Sequence, residues 1–133
     1  MPTHVVHLED DGPLRDILKV ALKAAEPQID LHQFISGDEA VRYIEQHGSE
    51  IDLFVLDIRV PGSLNGMQVA QKIRDLKCPG TIVVTSAYRP PDRDLLNTLS
   101  CEWFPKPWHL MDATQKLFQL AKERGPGRHT PPN

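Results

Sequence analysis

The stretch Ile51-Asp52-Leu53-Phe54-Val55-Leu56-Asp57 decides the fold of this chain. It is almost continuously apolar, which is typical of a parallel strand covered by helices on both faces of its sheet. The stretch ends in a carboxylate, and burying an unpaired charge in a core is costly. We therefore expect Asp57 at the rim of the sheet, where the strand ends.

Strand and helix signals alternate on both sides of this segment. The predicted strands are residues 4–8, 29–35, 51–57, 81–86 and 101–105, and the predicted helices are residues 14–25, 39–47, 67–76, 92–99 and 110–122. Such alternation requires right-handed crossovers between parallel strands. The pattern predicts an α/β domain built on a doubly wound, five-stranded parallel sheet with five helices.

The chain has 133 residues, which is the size of one ordinary domain. We expect this domain to span residues 1–124 and residues 125–133 to form a flexible tail, because the tail has no apolar side chain to anchor it. A chain of this length has no room for a second catalytic or DNA-binding domain. If residue 133 is the natural end, we expect the chain to act through a separate protein.

Charge and composition exclude several classes of partner. The formal net charge of −3 offers no general attraction for nucleic acid, so direct nucleic-acid binding is not expected. No apolar run reaches the length of a membrane span or a signal-peptide core, which predicts no membrane insertion. Cys78 and Cys101 lack metal-ligand spacing and are expected to be reduced thiols of a cytoplasmic protein.

Polar and charged side chains follow four of the predicted strands. Glu9 and Asp10 follow the first, Asp57 ends the third, Ser86 ends the fourth and Lys106 follows the fifth. With the flavodoxin-like strand order 2-1-3-4-5, the first and third strands are neighbours, so Asp10 and Asp57 converge at the topological switch point. Carboxylates this close repel unless a cation joins them, and an open site of oxygen ligands suits Mg²⁺.

Four short motifs occur in order at these strand ends. They are Leu8-Glu9-Asp10-Asp11 with Arg15, Val55-Leu56-Asp57-Ile58-Arg59-Val60-Pro61 with Gly66, Val84-Thr85-Ser86-Ala87, and Trp103-Phe104-Pro105-Lys106-Pro107. Together they resemble the receiver domain of the two-component response-regulator family, in particular its stand-alone, chemotaxis-regulator-like members. The resemblance covers residues 4 to about 122.

This resemblance implies a chemistry for the acidic residues. Asp57 would accept a phosphoryl group from a phosphohistidine on a sensor histidine kinase or a phosphotransfer protein. Mg²⁺ would be the cofactor, held by Asp10, Asp57 and the main-chain carbonyl of Arg59, with Glu9 acting through water. Phosphoryl transfer depends on positioning and on neutralising the equatorial oxygens, which agrees with such a site.

The resemblance also implies how the phosphoryl group is sensed. Lys106 would bind one phosphoryl oxygen as a point charge and the Ser86 hydroxyl would bind another. Ser86 and Trp103 would be the switch residues, although the family more often has tyrosine or phenylalanine where Trp103 stands. Residues 92–122, a helix-strand-helix surface, would change shape and control a downstream effector protein. Homodimerisation stays open.

Alternative functions remain beside this interpretation. One is a receiver that has lost phosphorylation and binds its partners constitutively. An aspartyl-phosphate phosphatase of the haloacid-dehalogenase type needs a carboxylate two residues after its nucleophile, where this chain has Arg59. An FMN carrier needs a phosphate-binding loop after the first strand, where the acids would repel phosphate. We expect no enzyme activity beyond the chain's own phosphorylation and dephosphorylation.

Overall fold

The computed structural model describes residues 2–87, 89–106 and 110–124, so the predicted tail, residues 125–133, lies outside the described residues. Five strands alternate with five helices in the predicted order. The elements are β1 (His4–Leu8), α1 (Gly12–Ala25), β2 (Asp30–Phe34), α2 (Gly37–His47), β3 (Leu53–Asp57), α3 (Gly66–Asp75), β4 (Thr81–Ser86), α4 (Arg93–Leu99), β5 (Cys101–Pro105) and α5 (Leu110–Arg124).

The five strands form one parallel sheet in the order β2-β1-β3-β4-β5. This confirms the predicted fold class and strand order. In the register of β1 and β3, Leu8 pairs with Leu56, so the residues that follow them meet at the same edge. Ser86 pairs with Pro105 between β4 and β5, which sets Lys106 beside the end of β4.

The core lies on both faces of the sheet, as expected of a doubly wound domain. Neighbouring strand residues alternate between the faces: Val6 packs with α2, α3 and α4, and Val5 packs with α1 and α5. We call these sides the α3 face and the α1 face. All five residues of β3 are buried, because this central strand is covered by helices on both sides.

The predicted boundaries differ from the structure by about two residues at several ends. β3 begins at Leu53 rather than at residue 51, because a 3-10 turn, Gly48–Glu50, precedes it and the Ile51 N–H donates to the carbonyl of Gly48. α1 begins at Gly12 because the Asp11 carboxylate accepts a hydrogen bond from the Leu14 N–H at 3.1 Å. Asp11 is thus a helix N-cap, as its position before Gly12 and Pro13 suggests.

Both cysteines agree with the expected reduced thiols. Cys78 and Cys101 are free and buried, and burial raises the pKa of the Cys101 thiol to about 11. A raised thiol pKa leaves little reactive thiolate at neutral pH. In the part of the chain that the structure describes, no helix is long and apolar enough to span a membrane.

Arg74 joins three elements at the end of the sheet opposite the acidic residues. Its guanidinium donates to the carbonyls of Leu99 at 2.6 Å, Cys78 at 2.9 Å, Gly80 at 3.1 Å and Ser100 at 3.2 Å. These oxygens lie after α3, before β4 and at the C-terminal end of α4. Arg74 therefore supplies hydrogen bonds to carbonyls that the helices and the sheet do not use in their own main-chain hydrogen bonding.

Replacing Arg74 with alanine is expected to lower the free energy of unfolding by about 2–4 kcal/mol, because several partly buried carbonyls lose a charged donor together. Urea unfolding followed by circular dichroism measures the change as a lower midpoint with an unchanged slope. Lys72→Ala, one half-turn earlier on the exposed side of α3, is the matched control and should cost less than about 0.5 kcal/mol. Equal losses in the two variants would contradict this role of Arg74.

His7 is a buried neutral histidine, and burial is the main reason that its pKa is lowered to about 3. The Gln33 side-chain amide lies 3.1 Å from its Nδ1 and donates there when the ring carries its proton on Nε2. An unfolded histidine binds a proton near pH 6.5. Folding stability attributable to His7 is therefore lost as pH falls from about 6.5 toward 3.

We expect His7→Gln to reduce this acid sensitivity. Between pH 6 and 4 the stability of the wild-type chain should fall more steeply than that of the variant, by up to about 1.4 kcal/mol per pH unit. Urea midpoints measured across that range test the difference. Parallel pH curves for the two proteins would show that His7 is not the titrating group.

Candidate functional site

Four strand ends bring the predicted site residues to one edge of the sheet. Carboxylate oxygens of Glu9, Asp10 and Asp57 lie within 4.8 Å of one another. The Lys106 ammonium lies 2.7 Å from Glu9 Oε1 and 3.1 Å from Asp57 Oδ2. Ser86 is buried beside them, and its carbonyl accepts a hydrogen bond from the Lys106 N–H at 2.9 Å. The convergence expected from the strand order is therefore present.

Burial makes the electrostatics of this cluster strong. Glu9 is 1% exposed and Asp57 is 6% exposed, whereas Asp10 is open to solvent. Burial, followed by the neighbouring Asp57 carboxyl, raises the pKa of Glu9 to about 7. Burial alone would lower the pKa of Lys106, but its hydrogen bonds to Glu9 and Asp57 outweigh that effect and raise it. Lys106 thus stays an ammonium between two carboxyl groups.

The end of β1 is held in place by main-chain contacts. The Glu9 N–H donates to the carbonyl of Phe34 at 3.0 Å, and the Arg15 guanidinium donates to the carbonyl of Glu9 at 2.9 Å. The Asp11 N–H donates to Glu9 Oε2 at 3.2 Å. Arg15 belongs to the first quoted motif, and the structure shows that it positions the loop that carries Glu9 and Asp10.

The loop after β3 folds back closely onto Asp57. The Arg59 N–H donates to Asp57 Oδ1 at 3.3 Å, and the Gly66 N–H donates to the carbonyl of Ile58 at 2.9 Å. A Cβ atom on Gly66 would overlap the carbonyl oxygen of Asp57, with Ile58 Cα only 2.8 Å away. Backbone atoms cannot rotate out of the way, so this approach requires glycine.

Gly66→Ala is accordingly expected to push the β3–α3 loop away from Asp57 and to lower the free energy of unfolding by about 1–3 kcal/mol, the usual cost of overpacking. Gly12→Ala is the control, because a Cβ there would meet only the end of the flexible Arg15 side chain at 3.7 Å. Thermal unfolding of the two variants gives the comparison. A Gly66→Ala chain as stable as the wild type would mean that the loop can move freely.

A cavity of about 630 Å³ opens beside the acidic cluster. Its walls come from the ends of β3 and β4 and from the start of α3, and its lining residues are Ile58, Arg59, Met67, Ser86, Arg89 and Pro91. Sequence reasoning identified Arg59 and Ser86 but not Arg89. No local pattern marks Arg89, because only the path of the chain after β4 brings it to this place.

Trp103 reaches the same region from β5. Its indole N–H donates to the Ser86 hydroxyl at 3.2 Å, and its ring packs against the apolar cluster on the α3 face. Sequence reasoning named both residues but not this hydrogen bond. Nor did it anticipate that Lys106 contacts Glu9 directly, since Glu9 was expected to act on a metal through water.

The donor set fits Mg²⁺. Glu9, Asp10 and Asp57 supply hard carboxylate oxygens close enough to share one cation, and the exposure of Asp10 leaves positions that water can fill. Mg²⁺ prefers a few carboxylates plus waters over a closed cage of protein ligands. Among the residues that the structure describes, neither histidine nor thiol belongs to the cluster, which argues against a transition metal.

Taken together, the fold and the site define a doubly wound α/β domain with an acidic, lysine-bearing pocket at the switch point of its sheet. Residues 5–108 match the response regulator receiver domain family. The chain belongs to this family, whose members are signalling modules of two-component systems that are phosphorylated on an aspartate. This confirms the family that the four sequence motifs indicated.

Individual relatives agree with this assignment. The chain is 26% identical over 118 residues to the regulatory protein VanR of Enterococcus faecium, covering 88% of this chain and 49% of VanR. It therefore spans about half the length of the curated relative that it matches. A CheY-like receiver domain from Methanospirillum hungatei has a TM-score of 0.81 at 17% identity, covering 92% of this chain and 96% of the other.

Two further solved structures share the fold. The receiver domain of the histidine kinase PA1611 from Pseudomonas aeruginosa holds a magnesium ion in its active-site cleft; it has a TM-score of 0.76 at 18% identity, covering 91% and 98% of the two chains. The receiver domain of Ssk1 from Saccharomyces cerevisiae was crystallised with the histidine phosphotransfer protein Ypd1. This complex gives a TM-score of 0.77 at 23% identity, covering 92% and 90%.

Proposed function

We propose that Asp57 accepts a phosphoryl group, in a Mg²⁺-dependent reaction, from a phosphohistidine on a sensor histidine kinase or a phosphotransfer protein. The observation that carries this proposal is the Lys106 ammonium, partly buried between Glu9 and Asp57 at 2.7 and 3.1 Å. A partly buried cation beside a strand-end carboxylate is suited to the negative charge of a transferring phosphoryl group. The magnesium-bound and phosphotransfer-bound structural relatives support the choice of cofactor and partner.

In this proposal each side chain of the site has a separate role in phosphoryl transfer. Asp57 is the nucleophile, Lys106 neutralises one phosphoryl oxygen, and the Ser86 hydroxyl donates a hydrogen bond to another. Mg²⁺, when bound by Asp10, Asp57 and the main-chain carbonyl of Arg59, with Glu9 contacting it through water, supplies positive charge for the remaining oxygen. Burial of Glu9 and Asp57 strengthens each of these interactions, because the local dielectric constant is low.

The signal is proposed to pass through the predicted helix-strand-helix surface, residues 92–122, of which residues 107–109 and the side chains of residues 110–113 lie outside the described part of the structure. Phosphorylation adds close to two negative charges at Asp57, and Ser86 and Trp103 link that site to β5 and α4. A downstream effector protein would read this surface, and a second copy of the chain could do the same. The two free, buried thiols fit a reducing compartment, so we place the protein in the cytoplasm.

The experiment is an intact-mass measurement after incubation with acetyl phosphate and Mg²⁺. The wild-type chain is expected to gain one phosphoryl group, and Asp57→Ala is expected to gain none. Asp11→Asn is the matched control: it removes a neighbouring carboxylate but keeps a good N-cap for α1, so it should be labelled like the wild type.

Other outcomes would contradict the proposal. Labelling of both the wild type and Asp57→Ala would mean that another group is the acceptor. Labelling of neither would favour a receiver that binds its partners without phosphorylation. Catalytic release of phosphate from many equivalents of a phosphate ester would instead indicate a phosphatase.

A further inference from the structure

Trp103 and Ser86 lie diagonally across two neighbouring strands on the α3 face. Val84 pairs with Trp103 and Ser86 pairs with Pro105, so the indole ring and the hydroxyl are on the same side of the sheet, one pleat apart. This register lets the indole Nε1–H donate to Ser86 Oγ at 3.2 Å. The ring also packs against buried side chains of the α3 face.

This hydrogen bond restricts what the serine hydroxyl can do. An indole N–H is a donor only, whereas a serine hydroxyl has one proton and two lone pairs. When Trp103 donates to Ser86, one lone pair of the serine oxygen is occupied. The indole cannot accept the serine proton, so that proton must point toward another group. One acceptor at the edge of reach is the Arg89 carbonyl, 3.5 Å from Oγ. A phosphoryl oxygen on Asp57 is charged and would be a stronger acceptor.

The backbone around Ser86 leaves little room for a large movement of this residue. Its carbonyl accepts the Lys106 N–H at 2.9 Å, and the Ile58 N–H donates to the carbonyl of Thr85 at 3.0 Å. The end of β4 is thus tied to both neighbouring strands. Reorienting the serine proton requires rotation of one hydroxyl, whereas moving an indole ring out of an apolar cluster costs buried area.

We propose that Trp103 is a positioning residue for the Ser86 hydroxyl and keeps its hydrogen bond when the phosphoryl group is bound. In this role the indole N–H holds Oγ as an acceptor, so that the serine proton points toward the phosphoryl oxygen. The ring itself stays in place against the apolar cluster of the α3 face. This inference rests on the proposed phosphorylation of Asp57.

The reaction that depends on this orientation is a single displacement. An Asp57 carboxylate oxygen forms a bond to phosphorus, the bond between phosphorus and the acetyl oxygen of acetyl phosphate breaks, and acetate leaves with the electron pair. No proton is transferred in this step. The Ser86 O–H donates a hydrogen bond to an equatorial oxygen. This bond lowers the activation barrier more if the hydroxyl is already oriented before the reaction.

The first test removes only the indole donor. Site-specific replacement of Trp103 by β-(3-benzothienyl)alanine keeps the ring size and substitutes sulfur for N–H. The rate constant for phosphorylation by acetyl phosphate should fall about three- to tenfold, the value of one hydrogen bond. In a Ser86→Ala background the same replacement should have no further effect, because Trp103 acts through Ser86. An equal reduction in both backgrounds would overturn the proposal.

The second test follows the indole N–H by ¹H–¹⁵N nuclear magnetic resonance. The Trp103 resonance is assigned by its loss in Trp103→Phe. It should shift in Ser86→Ala, and it should stay protected from solvent exchange when beryllofluoride and Mg²⁺ are added as a phosphoryl mimic. Loss of that protection on loading would show that the ring leaves Ser86, and would overturn the proposal.

The results distinguish failure of the proposed phosphorylation of Asp57 from failure of the proposed role of Trp103. If the wild-type chain gains no phosphoryl group, the proposed function fails, and this role of Trp103 fails with it. If the wild-type chain is phosphorylated and the benzothienyl variant reacts at the same rate, only the role of Trp103 fails.

Discussion

Lys106→Met is expected to slow phosphorylation of Asp57 by acetyl phosphate by about a hundredfold or more, the usual cost of removing one positioned donor from a developing charge. Methionine keeps an unbranched side chain of similar length, so the main change is the loss of the ammonium. That ammonium lies 3.1 Å from Asp57 Oδ2, close enough to reach an oxygen of a phosphoryl group on the same carboxylate. Single-turnover labelling followed by intact mass gives the rate constant.

The same substitution should also change stability. Without Lys106, the Glu9 and Asp57 carboxylates are buried together with no cation between them, and breaking a buried ion pair costs about 3–5 kcal/mol. Without the ammonium, the pKa of Glu9 loses the lowering effect of Lys106 and rises further above its unfolded value than the wild-type value of about 7. The stability of the variant is therefore greatest at low pH and is lost as pH rises. Urea midpoints at pH 5 and pH 8, with a chelator present, should show the larger deficit at pH 8.

Lys72→Met is the control for both measurements. Lys72 is on the exposed side of α3, away from the acidic cluster, and its replacement should change neither the labelling rate nor the pH dependence of stability. A Lys106→Met chain that is labelled within fivefold of the wild-type rate would mean that Lys106 is a structural partner of the acids and not part of the chemistry.

The position of Asp57 could be predicted from sequence because its signal is local. A buried parallel strand is a run of apolar residues, and the carboxylate that ends it must lie at the rim. The strand order then brings Asp10 to the same edge, since β1 and β3 are neighbours at the switch point. These steps need only the pattern of burial and the handedness of the crossovers.

Contacts made by side chains across the fold could not be predicted in this way. Lys106 and Glu9 are 97 positions apart, and which acid the ammonium approaches more closely depends on the conformations of both side chains. Arg74 binds main-chain carbonyls, which every residue has, so no residue pattern marks its partners. The bond from Trp103 to Ser86 depends on the register of β4 and β5, and a shift of one residue would send the ring to the other face.

Binding of Mg²⁺ should stabilise the wild-type chain, and Asp57→Asn should abolish most of that effect. A ligand that binds only the folded state adds RT ln(1 + [L]/Kd), or about 2.7 kcal/mol at one hundred times Kd. Asp57→Asn removes a buried negative charge from the three-carboxylate cluster, where the low local dielectric constant makes the attraction for a cation strong. Asp10→Asn should weaken the effect less, because Asp10 is exposed and solvent already screens the charge that is lost.

The measurement is thermal unfolding at pH 7.5 with MgCl₂ at about 0 to 20 mM. The highest concentration is chosen to approach saturation of a weak site. Asp11→Asn is again the control and should follow the wild-type curve, because Asp11 caps α1 outside the cluster. Ca²⁺ at the same concentrations should stabilise the chain less, since three carboxylates with an open side supply too few protein oxygens for its preferred coordination. If Asp57→Asn and the wild type gain the same stability, the ion binds elsewhere on the acidic chain, and the cluster of Glu9, Asp10 and Asp57 is not the magnesium site.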